Sequence, residues 1–206
     1  MWFRTVVASL AVCTAGGVAF WHATDGLRAL TSEQARRLSI ARSPRPVPNV
    51  LLEDHDGNEF RLADLRGAPV AVEFIYTRCQ TLCALLSAGM RQFSAAQRSS
   101  GTGVPGRVQL VSISFDAEGD STPRLREYAS HYGAARDTWR IARVRDRRDL
   151  GPLLETFGIV VIPDGAGGFQ HNAAIHLLGT DGRLARVLDA DATPADLARA
   201  VTTLWP

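Results

Sequence analysis

The chain contains no lysine, because all 23 of its basic residues are arginine. We interpret this absence as genome composition rather than as part of a mechanism. Against 21 acidic residues the formal net charge is only +2, so bulk charge gives no support to nucleic-acid binding. The sequence has no internal repeat, and its length of 206 residues predicts one domain with an appendage. Its 46% hydrophobic and 21% charged content are typical of a globular chain that buries a core.

Residues 5–24 lack Asp, Glu, Lys and Arg, and their apolar part ends at Trp21. As a helix, about twenty residues span roughly 30 Å, enough to cross the hydrocarbon core of a bilayer. Trp2 and Trp21 are typical of interfacial anchors. We therefore predict a retained membrane anchor over residues 1–24. The alternative is a cleaved signal peptide with a small-residue site at Gly17-Val18-Ala19.

Residues 25–48 contain few large apolar side chains and end in Ser43-Pro44-Arg45-Pro46-Val47-Pro48. Prolines spaced in this way disfavour a helix and favour a stiff, extended connector. A short helix is predicted around Ser32 to Ile40, with Ser32 as its cap. We predict that residues 25–48 form a stalk and that residues 49–206 form the folded domain.

The rest of the sequence alternates strand-like and helix-like segments and then closes with a hairpin and a helix. Short β-branched or aromatic runs predict strands, while proline and glycine mark helix ends. The predicted strands are 49–53, 58–61, 70–76, 107–115, 139–144, 173–178 and 183–188, and the predicted helices begin at 82, 122, 149 and 193. This order predicts an α/β fold, a three-layer sandwich with a mixed sheet.

The chain has three cysteines, and one of them, Cys13, lies in the apolar segment, where we predict a bystander. Cys79 and Cys83 follow the predicted strand 70–76 and open a helix, the position at which open α/β sheets place ligands. A helix amino terminus favours thiolate, and residues four apart share a helix face. Two thiolates can close to a disulfide or hold a soft metal such as Cu(I). Spacing alone leaves both roles open, together with that of inert core residues.

Two of the five histidines, His171 and His176, lie near the late hairpin. In a regular strand a separation of five places them on opposite faces, so one of them should face the cysteines. His171 follows the glycine-rich loop 164–168, where a ligand could protrude. His176, between Ile175 and Leu177, is predicted to pack or to face solvent.

Three blocks of sequence resemble the Sco/SenC family, thioredoxin-like proteins of cytochrome oxidase assembly. The first block is Phe74-Ile75-Tyr76-Thr77-Arg78-Cys79-x-x-x-Cys83, which is similar to the copper-site loop of the family. The second is Val111-Ser112-Ile113-Ser114-Phe115-Asp116 with Asp120-Ser121-Thr122-Pro123, and the third is Phe169-Gln170-His171-Asn172-Ala173-Ala174-Ile175-His176 with Asp181-Gly182. The blocks occur in the family's order, and an anchor before the domain also fits the family.

The resemblance implies a thioredoxin-like fold and a membrane-anchored copper metallochaperone. Cys79, Cys83 and His171 match the family's copper ligands by position, and they would bind one ion as Cu(I) or Cu(II). Asp116 matches an acidic residue near the family's site, so we predict that it supports the ligands. The implied recipient is the copper-bearing subunit of a cytochrome c oxidase or another copper carrier, with no nucleic acid involved. The implied location is the bacterial inner membrane, with the domain facing the periplasm.

The loop departs from the family's usual pattern, which has proline directly after the second cysteine and an acidic residue or proline between the cysteines. Here residues 80–82 are Gln-Thr-Leu, and Ala84 follows the second cysteine. The alternative function is a thiol–disulfide oxidoreductase or redox sensor acting on exported or oxidase-subunit cysteines, in which Cys79 attacks and Cys83 resolves. Against it, thioredoxin-type enzymes use C-x-x-C and have a cis-proline where this chain has His171-Asn172.

Overall fold

We describe the protein from a computed structural model, which describes residues 2–79, 81–99 and 107–204. The chain divides into two units, Met1–Ser43 and Pro44–Pro206. The first unit holds helices α1 (Trp2–Ala23) and α2 (Ser32–Arg42). Helix α1 is long and apolar enough to cross a membrane, and its residues are exposed rather than packed in a core. The predicted apolar helix is therefore present, and its role as anchor or signal stays a prediction.

Helix α2 begins with a capping box. The side-chain oxygen of Thr31 accepts a hydrogen bond from the backbone N–H of Gln34 at 3.1 Å, and the Gln34 side chain accepts one from the Thr31 N–H at 3.2 Å. The prediction of Ser32 as the cap is wrong by one residue. Thr31 has the glutamine three positions later that completes the box, and Ser32 does not.

The second unit is built from short strands and four helices. The strands are β1 (Leu52–Asp54), β2 (Glu59–Phe60), β3 (Val70–Ile75), β4 (Gln109–Ser114), β5 (Trp139–Val144), β6 (Val161–Pro163), β7 (Phe169–His171), β8 (Ala174–Leu178) and β9 (Leu184–Asp189). The helices are α3 (Leu82–Arg98), α4 (Thr122–Tyr132), α5 (Leu150–Phe157) and α6 (Pro194–Leu204). Every predicted strand and helix is present with slightly shifted bounds, whereas the sequence pattern does not predict β6 and β7.

Seven strands form one mixed sheet in the order β2-β1-β5-β4-β3-β8-β9. Strands β3, β4 and β5 are parallel, and the strands outside them pair antiparallel. Strand β3 lies between β4 and β8, and all six of its residues are buried. A strand that is covered on both faces is expected to be rich in β-branched and aromatic residues, as β3 is.

Helices cover both faces of the main sheet. On one face α3, α4 and α6 bury Phe93, Leu125 and Val201 in a single core cluster with alternate residues of the strands. On the other face, the ring of Phe74 on β3 contacts that of Phe157 on α5, with centroids 5.1 Å apart. Helix, sheet and helix thus form the predicted three-layer sandwich.

Strands β6 and β7 form a separate two-stranded antiparallel sheet, in which Val161 pairs with His171. Helix α5, which precedes this sheet, ends at Gly158. The φ of Gly158 is 69°, a backbone conformation that residues with a side chain rarely adopt. The hairpin carries the chain to β8, which returns to the main sheet beside β3. His171 therefore lies in the two-stranded sheet and not in the main sheet.

The start of the second unit is bonded to strand β9. The backbone of Arg45 exchanges two hydrogen bonds with that of Leu184, at 2.9 and 2.8 Å, and the Arg183 guanidinium donates to the carbonyl of Pro44 at 2.7 Å. The predicted stalk, residues 25–48, thus contains a helix, and its last residues belong to the folded unit. That it acts as a stalk stays a prediction.

Replacement of Phe93 by alanine tests the packing of α3. Phe93 is completely buried, so Phe93→Ala should lower the free energy of unfolding by about 3–5 kcal/mol through lost burial and a cavity. Urea unfolding of the full chain in detergent measures the change. Leu85→Ala on the same helix is the control, because Leu85 is 53% exposed and its loss should cost less than about 1 kcal/mol. Equal losses for the two variants would contradict the packing described.

Candidate metal centre

The cysteines lie where β3 turns into α3. Cys79 is in the loop after β3, and Cys83 is in the first turn of α3. The backbone N–H of Cys83 donates to Cys79 Sγ at 3.4 Å, and the Thr81 hydroxyl lies 3.8 Å from the same sulfur. Both cysteines are free thiols. The helix amino terminus thus directs a donor at Cys79, as the sequence predicts; Gln80, part of the altered loop, lies outside the described residues.

His171 reaches the cysteines from the opposite direction. It is the last residue of β7, and its Nε2 lies 3.4 Å from Cys83 Sγ. The two sulfur atoms and a ring nitrogen of His171 all lie within 4.8 Å of one another. The structure therefore brings together the three predicted ligand residues, although they are carried by a loop, a helix and a strand of the smaller sheet.

A backbone carbonyl orients the imidazole of His171. Its Nδ1 lies 2.9 Å from the carbonyl oxygen of Asn172. A carbonyl can only accept, so Nδ1 carries the hydrogen of this bond, and in the neutral ring Nε2 keeps its lone pair. That lone pair faces the sulfur of Cys83, which is the orientation that metal coordination requires.

The two thiols differ in their electrostatics. Burial raises the pKa of Cys79, but hydrogen bonds from the side chain and backbone of Cys83 and from the backbone of Thr81 outweigh it and lower the pKa to about 6. For Cys83, burial raises the pKa, and the neighbouring Cys79 raises it further. Near neutral pH the pair is therefore one thiolate and one thiol that share a hydrogen bond.

A buried carboxylate fixes the cysteine loop. Asp120 is 0% exposed, and its Oδ2 accepts from the Thr77 N–H at 2.9 Å and from the Ser114 hydroxyl at 2.5 Å. Its Oδ1 accepts from the Thr77 hydroxyl at 2.5 Å. Asp120 thereby ties the residue two places before Cys79 to the end of β4. Sequence reasoning missed this role, because an aspartate just before a helix start is normally a local cap.

Asp116 contacts the loop through Arg78 rather than through the donor atoms. Its Oδ2 accepts from the Arg78 guanidinium at 2.8 Å, and its Oδ1 accepts from the backbone N–H of Gly119 at 2.8 Å. A side chain at position 119 would collide with this carboxylate, which explains the glycine. Asp116 therefore both caps its own turn and pairs with the residue preceding Cys79, while its predicted support of the ligands stays a prediction.

His176 takes no part in the group. It is 0% exposed, its Nε2 donates to the carbonyl of Phe157 at 2.9 Å, and its ring packs against Phe74 and Phe157. The packing predicted for His176 is present, but the argument that strand alternation separates it from His171 is wrong. His171 and His176 lie in different strands, β7 and β8, so the alternation of one regular strand does not apply to them.

Three aromatic rings surround His171. The Phe115 centroid lies 4.9 Å from that of the imidazole, the Tyr76 centroid lies 6.1 Å from it, and Phe169 contacts both of these rings. The sequence blocks contain these residues, but the pattern assigns them only to strands. The cluster excludes water from one side of the imidazole and holds its plane.

A cavity of about 460 Å³ opens beside Cys79. Its lining includes Cys79, Arg78, Arg124, Tyr128 and His131, from the loop and from α4. Cys79 is 7% exposed, whereas Cys83 is 0% exposed. A molecule that enters this cavity therefore meets the sulfur of Cys79 first.

Alkylation tests the asymmetry of the two thiols. Iodoacetamide should modify Cys79 before Cys83, and the rate should fall as the pH drops through about 6, because thiolate is the nucleophile. Mass spectrometry of peptides from the full chain measures both rates. In Cys83→Ala the thiol that donates a hydrogen bond to Cys79 is lost, so the midpoint should move to higher pH. A midpoint for the parent near the ordinary value of about 8.5 would contradict the geometry.

Comparison with known proteins identifies the family. The family model described as SCO1/SenC matches residues 49–206. The SCO1 protein homolog of Bacillus subtilis is 26% identical over 134 residues, which are 64% of this chain and 67% of that protein.

Solved structures share the fold. A SCO1/SenC family lipoprotein from Bacillus anthracis has a TM-score of 0.70 at 21% identity, covering 80% of this chain and 99% of its own. Bradyrhizobium japonicum ScoI with copper bound has a TM-score of 0.62 at 20% identity, covering 77% of this chain and 99% of its own. The fold is therefore the mixed α/β, thioredoxin-like fold of these structures, as predicted. Because the family model covers well over half of the sequence, the chain belongs to the SCO1/SenC family.

Proposed function

We propose that the protein binds one copper ion as cargo and delivers it to the copper centre of a cytochrome c oxidase or to another copper carrier. Cys79 Sγ, Cys83 Sγ and His171 Nε2 would be the ligands. The observation that carries the proposal is the convergence of these three donors within 4.8 Å. The family and the copper-bound Bradyrhizobium japonicum ScoI support it.

The donor set favours copper over other metals. Two thiolates and one imidazole are soft or borderline donors, which suit Cu(I) and, with further ligands, Cu(II). A closed structural zinc site uses four protein ligands, whereas three donors converge in the described part of this chain. A three-ligand set leaves room for a ligand from a partner, as transfer of a metal requires.

Release of the ion would proceed by ligand exchange from the cavity side. Cys79 lines the cavity, whereas Cys83 is completely buried. The sulfur of Cys83 lies within hydrogen-bond distance of His171 Nε2, on the side away from the cavity opening at Cys79. A thiolate or imidazole of the partner would therefore replace Cys79 first and Cys83 last. The exchange changes no oxidation state, so it needs no oxidant or reductant.

The N-terminal helix supports placement at a membrane. Helix α1 would anchor the protein in the bacterial inner membrane, and the domain would face the periplasm. This is the location that the resemblance to the family implies. Residues 25–48 would act as the stalk between anchor and domain.

The second candidate function is thiol–disulfide exchange, and the lowered pKa of Cys79 at about 6 favours it. The Cys79 thiolate would attack a substrate disulfide and release one substrate thiolate. Cys83 would then displace the second thiolate, leaving a Cys79–Cys83 disulfide and a reduced substrate. This route uses no lone pair of His171, whereas copper binding uses the Nε2 lone pair directly.

An anaerobic Cu(I) titration of the full chain in detergent, with a competing chelator, tests the metal proposal. The parent should bind one equivalent, and Cys79→Ser, Cys83→Ser and His171→Ala should each weaken binding by about 100-fold or more. Loss of a ligand should cost at least as much as loss of a residue that orients one.

Two variants serve as matched controls for this titration. Cys13→Ser removes the cysteine of α1, and His131→Ala removes an exposed histidine of α4. Both should bind copper like the parent. Uptake of no copper by the reduced parent, or unchanged affinity in His171→Ala, would refute the proposal.

A further inference from the structure

The turn between α1 and α2, residues 24–30, contains three successive residues in the left-handed region of backbone conformation. Asp25, Gly26 and Leu27 have φ angles of 51°, 70° and 65°. Glycine adopts this region freely and aspartate adopts it occasionally, but leucine rarely does, because its Cβ comes close to the following carbonyl oxygen. Backbone strain of this kind is concentrated at positions where it serves a function.

Both helices hold this α1–α2 turn in place. At the end of α1, the Thr24 hydroxyl donates to the carbonyl of Phe20 at 2.8 Å and accepts from the backbone N–H of Leu27 at 3.2 Å. At the start of α2, the side chain of Gln34 accepts from the backbone N–H of Leu30 at 2.9 Å. The backbone of the turn is therefore fixed at both ends, and the fold holds the two leucines in set positions.

The two leucines are presented to the surroundings and not buried. Leu27 is 50% exposed, and Leu30 is 61% exposed. Exposure of apolar side chains to water is unfavourable, and at Leu27 it is combined with a strained backbone. Apolar side chains that a fixed backbone holds outwards are typical of a binding surface.

The membrane that α1 is proposed to cross lies next to the turn. The backbone N–H of Gly26 donates to the carbonyl of Trp21 at 2.8 Å, and a Cβ at position 26 would lie 3.3 Å from the indole ring. Tryptophan is enriched at the border between the hydrocarbon core and the lipid headgroups. Because Gly26 packs against Trp21, the neighbouring Leu27 lies at the level of this border, where lipid would cover it.

The turn also carries an arginine without an acidic partner. Residues 24–43 contain four arginines, and three of them form ion pairs with carboxylates of the same segment. These pairs are Arg36 with Glu33, Arg37 with Glu33, and Arg42 with Asp25. The fourth, Arg28, is exposed between the two leucines, and no acidic residue of the described part of the first unit pairs with it. A guanidinium between apolar side chains matches a phospholipid, which has a phosphate next to acyl chains.

We propose that the α1–α2 turn binds a phospholipid of the membrane that α1 crosses. Leu27 and Leu30 enter the apolar edge of the interface, and the Arg28 guanidinium donates two hydrogen bonds to the phosphate of one headgroup. Lipids with a net negative charge are preferred, because the segment carries more arginines than carboxylates. The inference rests on the part of the proposed function that places α1 in a membrane, and it is independent of copper binding.

Native mass spectrometry of the full chain tests the phosphate contact. The protein is released from detergent micelles that contain equal amounts of phosphatidylglycerol and phosphatidylcholine, and the retained lipids are identified and counted. The parent should retain phosphatidylglycerol in preference. Arg28→Gln should retain about fivefold less of it, the effect of one basic residue at a lipid surface. Arg126→Gln, the same change at an exposed arginine of α4, should behave like the parent.

A substitution at Leu27 separates lipid binding from stability. Asparagine adopts the left-handed region more readily than leucine, so Leu27→Asn should not lower the melting temperature that circular dichroism measures in detergent. The same variant should retain less lipid than the parent, because an apolar side chain is lost from the interface. A merely structural role of Leu27 would instead change stability and lipid retention in the same direction.

Several outcomes would overturn the proposal. Equal retention of phosphatidylglycerol in the parent and Arg28→Gln would remove the phosphate contact and leave the anchor untouched. Retention of added glycerol 3-phosphate in place of lipid would indicate a site for free phosphate. Loss of a dimer, and not of lipid, in Leu27→Asn would assign the leucines to a second copy of the chain. Failure of the full chain to enter liposomes would refute the anchor together with the lipid site, so the two failures are distinguishable.

Discussion

The contact between Cys83 Sγ and His171 Nε2 joins segments 88 residues apart, and the remainder of the second unit fixes the two ends of that contact. On one side, β3 and α3 carry the cysteines, and Asp120 ties their loop to the end of β4. On the other side, the β6–β7 hairpin carries the imidazole, and the Asn172 carbonyl sets its tautomer. Neither segment holds a three-donor group by itself, so the site depends on the packing of the whole sheet.

The charges around the site follow from where the sheet buries them. The amino end of α3 lowers the pKa of Cys79, while depth in the core raises that of Cys83. Glu73 is completely buried on β3, and Ser87, which donates to it from α3, also contacts Tyr128 in the wall of the cavity at Cys79. The thiol pair is thus asymmetric: the sulfur of Cys79 faces molecules that enter the cavity, and the sulfur of Cys83 is completely buried beside His171. Metal exchange and disulfide chemistry would both begin at Cys79.

The sequence predicts the position of the cysteines well, because a short apolar strand followed by a helical pattern is a strong local signal. The prediction of His171 as a ligand depends on the family resemblance. Its spacing from His176 gives no valid argument, because the two histidines lie in different strands, β7 and β8. The β6–β7 hairpin was missed because three-residue strands around a glycine-rich loop have little periodicity. The contacts of Asp120 and Glu73 come from separate strands and helices, so no local pattern reveals them.

The central claim is that two sulfur atoms and one imidazole nitrogen hold the same ion. X-ray absorption spectroscopy at the copper edge of the Cu(I)-loaded full chain tests it most directly. The account predicts two sulfur scatterers and one nitrogen scatterer in the parent, with loss of the nitrogen in His171→Ala and of one sulfur in either cysteine variant. Sulfur scatterers alone in the parent, or a nitrogen that persists in His171→Ala, would contradict it.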